Sequence, residues 1–129
     1  MTHHLPVRVY YEDTDMAGIV YYANYLKYIE RARSELVEDL GLNQREMKEV
    51  DGIVFVVRRV EADYLGAARL DDRLEVRTTH RAEGRLRWVF DQEVWRGADL
   101  LFRAMVVAVC MTVDGKPARL PAELRAKLG

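Results

Sequence analysis

One helix-period segment stands in a chain that otherwise reads as strand, and this asymmetry limits the fold more than any other feature. From Ala23 to Leu40 the apolar residues Tyr25, Ile29, Ala32, Leu36 and Leu40 recur at intervals of four, three, four and four. That spacing lays one apolar stripe along an amphipathic helix. Lys27, Glu30, Arg31, Glu35 and Glu38 occupy much of the rest, and Gly41 is placed to end the helix as its C′ residue. After Asp51-Gly52 the period falls to two. Ile53 to Asp63 opens with five apolar residues, mostly β-branched. Leu74, Val76 and Thr78 alternate with Glu75, Arg77 and Thr79. Leu86, Trp88, Phe90 and Gln92 alternate with Arg87, Val89, Asp91 and Glu93. Leu100 to Val113 is apolar on both faces, as a central strand is. The Gly-containing connections at 82–85 and 96–99 suit antiparallel hairpins.

Before the helix, residues 5–12 read as a strand with Val7, Val9 and Tyr11 on one face. Residues 12–18 break that alternation with short polar residues. A short polar helix is expected over 43–50 and another over 121–128. Helix and strands are segregated rather than alternating, so the class is α+β with an antiparallel sheet. A long apolar stripe needs a sheet to cover it, and the simplest arrangement wraps the sheet around the helix. No repeat or linker interrupts the 129 residues, which are read as a single domain, 1–129.

Charge and cysteine use narrow the function classes. Twenty basic and 21 acidic side chains give a net charge of -1, which gives no support to nonspecific nucleic-acid binding. A single cysteine, Cys110, cannot form an internal disulfide, so a reducing compartment is expected. Residues 1–6 lack the apolar core of a secretory signal. Leu100 to Val113 is interrupted by Arg103 and is shorter than the roughly 20 residues of a membrane span. A soluble, cytoplasmic protein without a membrane span is expected. No spaced His/Cys cluster indicates a metal site, and no cofactor is expected.

The chemistry-bearing stretch is Tyr11 to Tyr25. Three carboxylates, Glu12, Asp13 and Asp15, fall within four residues, just after a strand and shortly before the long helix. Free N–H groups at a helix start carry partial positive charge and stabilise a developing oxyanion. Gly18 lets the backbone approach a ligand. A carboxylate beside such N–H groups suits acyl transfer, in which the N–H groups polarise a carbonyl and the carboxylate attacks it or activates a water. The same residue types also serve as helix caps and turn formers, so the residues alone locate a site without naming a substrate.

The run Asp15-Met16-Ala17-Gly18-Ile19-Val20-Tyr21-Tyr22-Ala23-Asn24-Tyr25, followed by Glu30-Arg31-Ala32-Arg33, resembles the active-site segment of the 4-hydroxybenzoyl-CoA thioesterase family, and within it the acyl-CoA thioesterases associated with the bacterial Tol–Pal system. Residues 53–58, 64–72, 115–117 and 119–121 extend the resemblance over nearly the whole chain. It implies a hotdog fold, a five-stranded antiparallel sheet around one central helix. It also implies at least a dimer, often a tetramer, with active sites at the subunit interface. The implied activity is hydrolysis of an acyl-CoA. The implied catalytic groups are the Asp15 carboxylate, as nucleophile or base, and the backbone N–H of Tyr22. Gly18, Ile19, Val20 and Asn24 are read as substrate-binding, with Asn24 either capping the helix or orienting the loop. Many Tol–Pal-associated relatives carry histidine where this chain has Tyr22, which changes the side chain at that point but not the backbone donor.

Arg58, Arg59 and Arg69 are candidates for the CoA phosphates, because guanidinium binds phosphate bidentately. Tyr21, Tyr22, Tyr25 and Tyr28 are candidates for an acyl or aryl pocket or for helix-to-sheet packing. Glu12 and Asp13 are expected to be solvated, His3 and His4 to lie in a loose terminus, His80 on the surface and Cys110 in the core. Two other functions compete. A 3-hydroxyacyl dehydratase would need a histidine in the helix region, where there is none. A non-catalytic acyl-thioester-binding or scaffold protein would have no need of Asp15.

Overall fold

The computed structural model describes residues 1–128. The helix α1 spans Asn24–Asp39; Tyr25, Ile29, Ala32 and Leu36 of the expected stripe are buried, joined by Tyr28 and Val37, while Leu40 is the half-buried C-cap. It stops at Gly41, whose φ of +83° only glycine adopts at no steric cost. The Gly41 N–H donates to Glu38 O at 2.8 Å and the Leu42 N–H to Val37 O at 3.2 Å. With Val37 and Leu42 both buried, this is a Schellman ending with its hydrophobic contact.

Around α1 lies an antiparallel sheet built from β1 (His3–Arg8), β2 (Ile53–Tyr64), β3 (Arg73–Glu83), β4 (Arg87–Arg96) and β5 (Asp99–Thr112). Their order across the sheet is β1-β3-β4-β5-β2. A sixth, two-residue strand, β6 (Pro117–Ala118), adds to β5 at Cys110 and Met111, just beyond the point where β4 begins its pairing at Val109. The cross-strand pairs Val76–Val94, Thr78–Gln92, Val94–Phe102, Phe90–Val106 and Trp88–Ala108 put buried residues on one face, against α1. This is the hotdog arrangement that the resemblance implies. Full burial of each large apolar side chain here contributes roughly 1.5–3 kcal/mol.

Three local expectations change. The first strand begins earlier and ends earlier than 5–12. His3 and His4 belong to it, because His3 pairs with Thr78 and His4 with Arg77, and His3 Nε2 lies 3.0 Å from Asp39 Oδ2. Tyr11–Asp13 is a 3₁₀ turn, fixed when the Asp13 carboxylate accepts the Tyr10 N–H at 2.8 Å. The polar helix of 43–50 is a short α2 (Gln44–Glu46), with Asn43 accepting the Glu46 N–H, that widens into a π-turn over Met47–Asp51. The terminal helix is α3 (Ala122–Leu128), anchored by buried Leu124.

Among the described residues β2 pairs only with β5, which leaves its other edge open, and its ladder shifts between Val57 and Arg59, leaving Arg58 unpaired at a bulge. Among the described residues, no helix is long and apolar enough to cross a membrane.

Candidate active site

The segment between the 3₁₀ turn and α1 doubles back on itself. The Asp15 N–H donates to Ile19 O at 2.9 Å, and the Gly18 N–H returns to Asp15 O at 3.0 Å. Thr14 then bridges to Val20, and the Tyr21 N–H donates to Asp13 O at 2.9 Å. Asp15 and the start of α1 therefore sit on one tight loop. The Asp15 carboxylate has a fixed direction although it is exposed, because its Oδ1 accepts the Ala17 N–H at 2.9 Å, an Asx turn. Gly18 makes this possible at φ +76°.

A second set of bonds pins the loop to residues 67–72. The Val20 N–H donates to Ala68 O at 2.8 Å, and Ile19 bridges to Arg69. The Ala68 N–H in turn donates to Tyr25 Oη at 3.0 Å, with the Tyr25 ring stacked 5.1 Å from Phe102. Arg96 clamps this segment, donating to Ala67 O at 3.1 Å and to Asp72 Oδ2 at 2.9 Å. Burial alone would push the Asp72 carboxyl up. The Arg69 N–H and the Arg96 guanidinium outweigh burial and hold it below the usual carboxylate range.

At the start of α1, the Asn24 Nδ2 donates to Asp13 O at 2.9 Å, and Tyr64 Oη donates to Tyr22 O at 3.0 Å. Burial raises the Tyr64 and Tyr25 hydroxyls above their ordinary range, so both remain protonated donors or acceptors at neutral pH. Among the described residues, the Tyr22 N–H has no acceptor. It lies in the turn just before α1, which the Asn24 N–H closes by donating to Tyr21 O at 2.8 Å, and the Tyr22 carbonyl is held by Tyr64.

The predicted site residues separate into groups. Asp15, Gly18 and Tyr22 are exposed on the loop, and Ile19 is half-buried. Val20 and Asn24 turn inward, 3% and 9% exposed. The Asn24 side chain does not cap α1 and instead bonds to Asp13 O in the loop. A Cβ at Gly18 would meet nothing within 4 Å, so the need for glycine there is its φ and not a close neighbour. Arg58 and Arg59 lie on β2, six and five residues before Tyr64, which is on the order of 17–20 Å along the strand. Arg59 is ion-paired with Glu61. Arg69, bridged to Ile19, is the cation beside the loop. Tyr25 and Tyr28 are packed in the core, while Tyr21 and Tyr22 are exposed.

Asp13 corrects an expectation: it is 7% exposed, drawn in because its carboxylate and its carbonyl both accept loop hydrogen bonds. His80 is half-buried rather than on the surface, since its Nδ1 accepts the Trp88 indole N–H at 3.1 Å. Cys110 is buried and its thiol is pushed up to about 12 by burial, as a core residue. Tyr64 and Asp72 lie in a stretch that carries the resemblance, but Tyr64, Asp72 and Arg96 have no assigned role in the sequence, because only the fold brings Tyr64 to Tyr22 and Arg96 to Ala67 and Asp72.

Residues 9–128 match the model of the thioesterase-like superfamily. An acyl-CoA thioesterase of Haemophilus influenzae, YbgC, is 40% identical over 122 residues, 94% of this chain and 90% of the relative. A probable thioesterase from Bartonella henselae superimposes with a TM-score of 0.89 at 35% identity, covering 94% of this chain and 100% of its own. A mutant 4-hydroxybenzoyl-CoA thioesterase solved with 4-hydroxybenzoyl-CoA superimposes with a TM-score of 0.90 at 25% identity, covering 99% of both chains.

Proposed function

This chain belongs to the thioesterase-like superfamily, and we propose that it hydrolyses acyl-CoA to free acid and CoA, residues 1–129 acting as one catalytic domain. The observation that carries this reading is the loop that holds a directed, exposed Asp15 carboxylate together with the unclaimed Tyr22 N–H. Ala17 fixes one carboxylate oxygen, which leaves the other for a proton or a carbonyl carbon. The Tyr22 N–H polarises the thioester carbonyl and takes the charge of the tetrahedral intermediate. A single donor of this kind is worth about 10²–10³ in rate.

In the base form, Asp15 removes a proton from water as its oxygen bonds to the carbonyl carbon. The C–S bond then breaks, and that proton passes to the departing CoA thiolate. In the nucleophile form, Asp15 bonds the carbonyl carbon first, thiolate leaves with a solvent proton, and water cleaves the anhydride. Asn24 and Tyr25 hold the loop from behind and Tyr64 holds the Tyr22 carbonyl, so these three are positioning residues. Gly18 and Ile19 border the acyl thioester, with Val20 holding the strand beneath them.

CoA itself is the anionic part of the substrate. Arg69 is placed for its phosphates within one protomer. Arg58 and Arg59 serve from a partner subunit. The open edge of β2 and the exposed Val57, Val60, Tyr64 and Leu65 support a homo-oligomer, a dimer joined through β2 or a tetramer of such dimers. A lone buried Cys110, with no disulfide to maintain, supports a cytoplasmic setting.

Thiol release from acetyl-, butyryl-, hexanoyl-, palmitoyl-, benzoyl- and 4-hydroxybenzoyl-CoA, with wild type and Asp15→Asn side by side, tests the proposal. Turnover that depends on Asp15 is the expected result. Folded oligomer that leaves every thioester intact would overturn it in favour of a binding protein.

A further inference from the structure

A groove runs between α1 and β2. Its first part is walled by Leu26, Ile29 and Glu30 of α1 and by Val57 and Val60 of β2. Leu26 lies one turn beyond Tyr22, and Val60, paired with Val106, lies four residues before Tyr64, where the strand ends. Glu30, Arg33 and Val57 also line a second hollow, of about 190 Å³, floored by Phe55, Trp88, Phe90 and Ala108. The two hollows share three residues, Glu30, Arg33 and Val57, so they adjoin along α1, the second lying further from the Tyr22 end; together they make up the channel.

Arg33 is the anomaly of this channel. It is half-buried among aromatic and aliphatic side chains. Its one hydrogen bond runs from Nη1 to Gln92 Oε1 at 2.9 Å. Gln92 is itself fully committed, its Nε2 donating to Ile29 O and Thr78 Oγ1. A guanidinium has five N–H donors, and among the described residues no carboxylate pairs with this one. Glu30, on the outer rim, instead accepts the Ser34 hydroxyl at 3.0 Å. Glu30, one turn earlier on α1, is the carboxylate whose charge acts on Arg33, although the two form no direct ion pair; a half-buried cation partnered only at this distance is costly to the fold, and the cost is offset further when an anion enters. Burial lowers the Arg33 pKa, yet guanidinium stays charged at any physiological pH.

We propose that this channel receives the acyl chain and that Arg33 selects acyl groups whose far end carries a carboxylate. The inference rests on the acyl-CoA reading above and names the substrate class within it. Arg33 lies eleven residues beyond Tyr22, roughly 16 Å along the helix axis, and its side chain leans back toward the N-terminus. The class is therefore a medium-length chain with a terminal carboxylate, not a short acyl group.

The test pairs adipoyl-, suberoyl- and sebacoyl-CoA with hexanoyl-, octanoyl- and decanoyl-CoA. Wild type is expected to favour the carboxylate-ended member at its best length by about tenfold or more in kcat/KM, mostly through KM, because a hydrogen bond to a charged group is worth about that factor. Arg33→Gln keeps a donor for Gln92 without the charge and should erase the preference. Arg33→Lys should keep part of it. Equal or better use of the unsubstituted chain at every length, or a preference that survives Arg33→Gln in folded protein, would overturn the proposal. If wild type hydrolyses nothing, the acyl-CoA reading fails separately. Binding of a non-hydrolysable suberoyl-CoA thioether analogue then decides the channel: binding weakened by Arg33→Gln supports it, and equal binding overturns it.

Discussion

In residues 13–22 the side chains that matter face solvent and the backbone is held, whereas under α1 the backbone is ordinary helix and sheet and the side chains are held. The loop is fixed by bonds from Ala17, Tyr21, Val20 and Asn24 to oxygens of Asp15, Asp13 and Ala68. The interior is fixed by contact among Trp88, Phe90, Ile29, Val76 and Val106. The difference teaches where each kind of substitution will be felt. Changing a solvent-facing loop side chain leaves the backbone-to-backbone bonds intact and alters chemistry. Changing an interior side chain leaves a void and alters stability.

The largest expected effect sharpens that contrast. Asp15→Asn should cut kcat by about 10²–10⁴, the range for losing a general base, with an unchanged thermal unfolding midpoint. Next comes the opposite case. Leu36→Ala, at a buried α1 position, should lower unfolding free energy by about 2–5 kcal/mol in a denaturant titration, while kcat of the folded fraction stays within a few-fold of wild type. Gly18→Ala is the first attempt to break the contrast, because its cost lies in the loop backbone. Placing a Cβ at φ +76° should destabilise by about 1–2 kcal/mol and also lower turnover by moving the Asp15 turn.

Tyr64→Phe probes the boundary between the two regions. It removes the bond to the Tyr22 carbonyl but not the ring packing on Phe102, and should cost about 1 kcal/mol or less, with a several-fold fall in kcat and little change in KM. The smallest effect belongs to the far end of the interior. Burial, then the N-terminal charge and His3, lower the His80 pKa below 6.5. The folded state therefore binds this proton less readily than the unfolded state does. The stability that neutral His80 provides is present above the unfolded pKa near 6.5 and is lost as pH falls through the folded value. His80→Phe should flatten that part of the stability–pH curve measured by denaturant unfolding.

Much of this molecule is written in periodicity. Tyr25, Ile29, Ala32 and Leu36 announce α1, and the alternations at 74–79 and 86–93 announce β3 and β4, because those patterns reflect which face a residue turns to the core. Gly41 marks the helix end for a conformational reason that is local to it. The Asp15 segment was legible as a loop with carboxylates before a helix, and a resemblance supplied the roles that composition left open. Periodicity failed where a single polar side chain took over the backbone: Asp13 ends the first strand by accepting the Tyr10 N–H, and Asn43 starts α2 in the same way.

By itself the sequence determined the class of fold, the number of major elements and the place of the loop, all of which follow from local preference and from the burial pattern of near neighbours. Only the tertiary structure decided what holds that loop and what lies beyond it. Tyr64 and Ala68 bond to residues 20–25, Asp72 and Arg96 hold the segment that carries Ala68, and Arg33 meets Gln92 across 59 positions. Such contacts leave no repeat or spacing in the sequence, because their geometry exists only once the sheet has closed around the helix.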